Sequence, residues 1–139
     1  MRVELHGIPN CDTVKRARAW FAARAIEVEF HDFKKTGVPA PALEAWIAAV
    51  GWERLLNRQG STWRRLDEAT RAAAADAAGA RALMRAQPSV IKRPVVVWPG
   101  ATITVGFEPA QWPPAALLAL ALAEQERPDT GAALRARSR

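Results

Sequence analysis

Apolar and polar positions change period several times along the chain, and each change marks an element. Residues 2–6 alternate, which predicts a short strand. Gly7-Ile8-Pro9-Asn10 reads as a turn. From about Asp12 to Arg24, Val14, Ala17, Trp20 and Phe21 recur at helical spacing while Lys15, Arg16 and Arg18 face outward. Residues 26–33 alternate strictly and predict a second strand, parallel to the first because a helix separates the two. Lys34 to Pro41 reads as a loop, and from Ala42 to about Ala86 the pattern is helical. Leu43, Trp46, Ile47 and Val50 form the first apolar stripe, and Leu55-Leu56 closes a short second helix. Asn57 to Thr62 reads as a loop. Two alanine-rich helices, Leu66 to Ala78 and Ala80 to Ala86, follow, with the break expected at Gly79. Pro94 to Trp98 and Thr102 to Val105 flank a Pro99-Gly100 turn and predict an antiparallel hairpin. A last helix is expected from Ala115 to about Gln125.

The order β-α-β, helical insert, β-β-α predicts an α/β protein: a thioredoxin-like fold with a mixed four-stranded sheet and a central all-helical insertion. The expected domain spans 1–126, with the insertion at about 40–87, and 127–139 form a flexible basic tail.

Composition narrows the class. The chain has 139 residues, half of them hydrophobic, enough for one packed core without a staple. Its longest apolar run, Ala115 to Ala123, is nine residues, against ~20 needed to cross a bilayer. The N-terminus lacks the apolar segment of a signal peptide. These features predict a cytoplasmic protein with no membrane partner. The net charge of +6 is scattered and partly concentrated in Arg135, Arg137 and Arg139, without a basic stripe interleaved with aromatics. Direct nucleic-acid binding is therefore not expected.

The chemistry centres on the single cysteine. Cys11 follows a turn and opens a helix, where unpaired N–H groups and the positive end of the helix dipole favour thiolate over thiol. Position 14 is Val14, so no internal disulfide can form, and a disulfide at Cys11 needs an outside thiol to resolve it; glutathione fits that role. Lys15, one turn on, is a candidate to assist the thiolate. Arg93 precedes Pro94 at the entrance of the third strand, a place where an X-Pro bond can be cis, and its planar fork suits an oxyanion. Arg58 lies in a glycine-containing loop. His6 and His31 offer no hydrolase arrangement with Cys11 and no ligand spacing, so no metal is expected. The six tryptophans are expected in the core, with Trp112, set beside two prolines, a candidate for exposure.

Three segments carry a family resemblance. Gly7 to Ala17 (Gly-Ile-Pro-Asn-Cys-Asp-Thr-Val-Lys-Arg-Ala) resembles the active-site segment of the arsenate-reductase-like (ArsC/Spx/YffB) family. Leu55 to Arg58 with Gly60 to Arg64 resembles its insert motif, and Pro88 to Val95 its late signature. The Asn-Cys-Asp-Thr form and Gly51-Trp52 are most similar to the YffB branch. The resemblance implies a glutathione-dependent thiol oxidoreductase with Cys11 as nucleophile and Arg58 and Arg93 holding negative charge. It implies a cis junction at Arg93-Pro94, and a substrate or glutathione site drawn from Asn10, Lys15, Arg58, Arg93 and Pro94. No bound cofactor is implied; glutathione is the co-substrate and glutaredoxin a further partner. The alternative it carries is a non-enzymatic regulator that binds RNA polymerase. Arsenate reductases proper have a third arginine after the last hairpin, where this chain has Gly106-Phe107-Glu108, and a histidine where it has Gly7. Both departures count against arsenate and leave thiol exchange intact.

Overall fold

The computed structural model describes residues 2–114 together with 118 and 122. Its sheet has strands β1 (Val3–Gly7), β2 (Val28–Asp32), β3 (Val95–Val97) and β4 (Ile103–Val105) in the order β2-β1-β3-β4. β1 pairs parallel with β2, while β3 pairs antiparallel with both β1 and β4. This is the mixed, thioredoxin-like sheet that the sequence predicts. None of the helices in the described residues is long and apolar enough to cross a membrane.

Each face of the sheet has its own core, because alternate residues of a strand point to opposite faces. On one face Val3, Leu5 and Val96 pack under helix α1 (Asp12–Ala23) through Val14, Ala17 and Phe21. Trp98 and Trp112 complete this core. Trp112 is buried, not exposed: its indole packs against Phe21 and Trp98 with ring centroids 5.5 and 5.1 Å apart. On the other face Val95 and Val105 pack under the helical insert through Phe33, Leu43, Trp46, Leu55 and Met84.

The stretch between β2 and β3 holds more α-helices than the pattern separates. They are α2 (Phe33–Thr36), α3 (Ala40–Val50), α4 (Trp52–Leu55), α5 (Ser61–Arg65), α6 (Glu68–Ala73) and α7 (Ala77–Ala86). The expected strand over 26–33 is shorter, because the Asp32 carboxylate accepts from the N–H groups of Lys34 and Lys35 and starts α2 there. α2 occupies part of the expected loop from Lys34. Gly79 does not break the alanine-rich stretch; it lies inside α7. The break is at Ala74 to Asp76, where Asp76 caps α7 by accepting from the Gly79 N–H at 2.7 Å. Glycine is needed at 79 for space: an added Cβ would run into the Ala73 carbonyl oxygen. The predicted last helix and the basic tail fall largely or wholly outside the described residues.

Candidate active site

β1 ends at Gly7, and a short turn carries the chain to Cys11, the N-cap residue of α1. Cys11 has extended backbone (φ −143°, ψ 124°), and its carbonyl accepts the first helical bond from the Lys15 N–H at 2.9 Å. This geometry turns the sulfur back over the open first turn, where backbone N–H groups lack helical partners. Cys11 is partly buried. Burial alone would push its pKa up, but the Val14 N–H, the Arg93 guanidinium and the Thr13 N–H together outweigh it and hold the thiol below its ordinary value. Cys11 is thus poised toward thiolate, the reactive form.

Arg93 comes to the sulfur from the other end of the chain. The Arg93-Pro94 peptide bond is cis, and buried Pro94 leads directly into β3 beside β1. The Arg93 side chain is steadied by donation from Nη1 to the Ser89 carbonyl at 3.0 Å. The insert is tied to this segment by backbone bonds. The Asn57 N–H donates to Val90 at 2.8 Å, and the Lys92 N–H donates to Leu55 at 2.8 Å. These two bonds bring the loop after α4 alongside Arg93.

A cleft of about 330 Å³ results, lined by Cys11, Thr13, Asn57, Gln59, Lys92 and Arg93 together with Gly106, Phe107 and Glu108. Of the residues singled out from sequence, Cys11 and Arg93 meet here, with Pro94 buried behind them. Asn10 and Lys15 are exposed and outside the lining. Arg58 is also exposed and outside it; its guanidinium sits over the Trp52 ring, 5.5 Å from the centroid. Its two neighbours, Asn57 and Gln59, enter the cleft instead. Lys92 and Glu108 are the charged lining residues that sequence reasoning missed. Lys92 stood inside the quoted late signature, and Glu108 stood where a third arginine was absent. Close packing holds Lys92 in place, since a Cβ at Gly106 would lie 3.0 Å from its Cε.

A lone cysteine at a helix N-terminus, beside a cis-proline junction and an arginine on a thioredoxin-like sheet, is the arrangement of a monothiol site. The comparisons place the chain more narrowly: the ArsC family model matches residues 6–114, and the chain belongs to the ArsC family. It is similar to a YffB protein of known structure, 45% identical, with a TM-score of 0.72 over 84% of this chain and 98% of that one. It is also similar to an arsenate reductase (ArsC) related protein from Brucella melitensis, 50% identical, with a TM-score of 0.64 over 80% of this chain and 91% of that one. An uncharacterised protein of Haemophilus influenzae is 34% identical over 110 residues, covering 79% of this chain and 95% of the relative.

Proposed function

We propose that the chain is a glutathione-dependent monothiol oxidoreductase acting on disulfides that carry glutathione. The observation behind this reading is the meeting of the Cys11 sulfur, the Arg93 guanidinium and the first-turn N–H groups of α1 at one open cleft. The Cys11 thiolate attacks the glutathione sulfur of a mixed disulfide. A bond forms between Cys11 and glutathione, the original disulfide breaks, and the released thiolate takes a proton from solvent. A second glutathione, as thiolate, then attacks the glutathione sulfur of the adduct, giving oxidised glutathione and restoring the Cys11 thiolate. One mixed disulfide and one glutathione become one thiol and one oxidised glutathione. The chain has one cysteine, so the second thiol has to come from outside it.

The charges of the cleft support this substrate class. Glutathione carries two carboxylates and an ammonium, which Lys92, Arg93 and Glu108 complement. Asn57 and Gln59 offer side-chain amides for its peptide groups. The Glu108 carboxylate works against a compact polyanion such as arsenate. A site that cycles through glutathione suits a reducing compartment such as the cytoplasm.

Intact mass after brief exposure to oxidised glutathione at pH 6.5 tests the reading. An ordinary thiol of pKa ~8.5 is only about 1% thiolate there. Rapid addition of one glutathione, absent in Cys11→Ser, is expected. Turnover of the glutathione mixed disulfide of 2-mercaptoethanol should follow. No adduct within hours would overturn the proposal and make binding to the RNA polymerase α-subunit the next experiment.

A further inference from the structure

The sheet face turned away from α1 carries a polar cluster that the redox chemistry does not use. Alternation in β1 sends Val3, Leu5 and Gly7 toward α1 and puts Glu4 and His6 on the opposite face. β2 lies parallel in register, so Glu4 stands beside Glu29 and His6 beside His31. His6 Nε2 is 3.3 Å from Glu4 Oε1, and His31 Nε2 is 3.6 Å from that same oxygen. Glu29 Oε1 lies 3.1 Å from His31 Nε2. The two imidazoles stack with centroids 4.5 Å apart, and one donor atom from each of Glu4, His6 and His31 lies within 4.8 Å of the others.

Hydrogen bonding does not complete this cluster. His31 Nε2 is closed to solvent and makes no hydrogen bond, despite two carboxylate oxygens nearby. The cluster thus gathers carboxylate oxygens and imidazole nitrogens around one point and leaves a buried polar atom unsatisfied. A tetrahedral ion held at about 2.0–2.1 Å by nitrogen and 2.0–2.2 Å by oxygen separates its ligand atoms by about 3.4 Å. The observed 3.3 and 3.6 Å fall on either side of that value. The two imidazoles are stacked nearly parallel, so binding an ion requires them to fan apart until both Nε2 atoms face it. A cavity of about 290 Å³, bordered by Glu4, His6, His31, Phe33 and Trp46, gives an ion and its water access.

We propose that Glu4, His6 and His31 form a binding site for a divalent transition ion of the zinc class, with Glu29 or water as the fourth ligand. Two imidazoles and a carboxylate are a donor set that zinc and its borderline neighbours accept. The ion ties β1 to β2 on the face opposite Cys11. It neutralises the carboxylates and gives His31 Nε2 a partner.

The test uses the full chain, without a polyhistidine tag, stripped with EDTA and carrying Cys11→Ser so that the thiolate cannot compete. Titration with Zn²⁺ should show one saturable equivalent and a rise in melting temperature. Co²⁺ should give the intense visible bands of a tetrahedral site. Losing a hydrogen-bond partner of a ligand already costs about 10–100-fold in metal affinity, so Glu4→Gln and His31→Gln, which remove ligands, should each weaken binding at least about tenfold. Both side chains are about one-third exposed (34% and 36%), so these variants keep the fold. His6, 12% exposed and packed edge-on against Trp46, is left in place. With Cys11 restored, both variants should form the glutathione adduct at the parent rate. The proposal fails if no stoichiometric binding is seen, or if either variant binds as tightly as its parent.

Discussion

Gly7→Ala tests how the sheet aims the cysteine. Gly7 ends β1 and faces Val14 in the first turn of α1; an added methyl would sit 2.7 Å from Val14 Cγ2. Carbon pairs are comfortable at about 3.5–4.0 Å, so the two elements must part by roughly 1 Å. Val14 is fully buried and β-branched, with one dominant rotamer in a helix, and cannot swing aside. Relief has to come from the first turn of α1, whose Thr13 and Val14 N–H groups face the Cys11 sulfur. Overpacking of this kind costs about 1–3 kcal/mol, and we expect about 2 kcal/mol. For a chain of this length that lowers the melting temperature by roughly 8 °C. Val14→Ala alone opens a cavity and should cost about 2 kcal/mol. In the double variant the two methyls lost at 14 make room for the one gained at 7. The combined loss should be about 2 rather than 4 kcal/mol, a coupling of about 2 kcal/mol. Urea unfolding followed by tryptophan fluorescence gives the stabilities. Iodoacetamide reaction of Cys11 at pH 6.5 gives the effect on the thiolate: slowed in Gly7→Ala and largely recovered in the double variant. Losses that add to within about 0.5 kcal/mol, or an unchanged thiol rate in Gly7→Ala, would refute the argument.

Gly79→Ala should destabilise by about 3 kcal/mol or more in thermal unfolding although alanine is the better helix former, because the new Cβ meets the Ala73 carbonyl. Arg93→Met should slow iodoacetamide reaction of Cys11 at pH 6.5 and move its pH–rate profile upward, since the guanidinium favours thiolate. The folded Cys11 pKa lies below the ordinary thiol value, so the thiolate's contribution to stability is full above about pH 8.5 and is lost as pH falls through the folded pKa. The stability gap between wild type and Cys11→Ser should narrow in that direction. The folded protein holds the His6 pKa at about 4 against 6.5, so the unfolded chain takes up a proton that the folded one refuses. In EDTA, stability should fall from pH 6.5 toward 4 by about 3 kcal/mol before solvent screening and nearer 1.5 after it, and His6→Gln should flatten the slope. Glu108→Gln should strengthen arsenate inhibition by up to about fivefold, the effect of removing ~1 kcal/mol of like-charge repulsion.

The parts of the site that depend on local sequence were legible. A turn, a cysteine and an amphipathic run fix Cys11 at the start of α1, and a proline after Arg93 fixes the entrance of β3. Arg58 shows where that legibility ends. Its loop is positioned by bonds to Val90 and from Lys92, more than thirty residues away, and those bonds decide which side chains enter the cleft. The pattern identified the loop but not its rotation, so Asn57 and Gln59 line the cleft while Arg58 turns to Trp52. Gly79 failed for a related reason: a glycine in an alanine-rich stretch looks like a breaker, and only tertiary contact shows it to be a close approach. The histidines stand 25 residues apart with no ligand spacing between them, so the cluster with Glu4 exists only through the parallel register of β1 and β2.

That register couples the two faces of the protein. Val3, Leu5 and Gly7 set the height of α1 over the sheet, and with it the position of Cys11. Glu4 and His6, interleaved with them, can face Glu29 and His31 only in the same register. A slip of one residue would send both sets to the wrong face, burying two polar side chains under α1 and exposing the core. Whatever holds β1 against β2 therefore also holds the support under the cysteine, although the polar cluster lies on the far side of the sheet. An ion at Glu4, His6 and His31 would raise the stability of that pairing without touching the thiolate. Its effect should accordingly appear in unfolding and amide exchange of β1 and β2, and not in the rate at which Cys11 reacts.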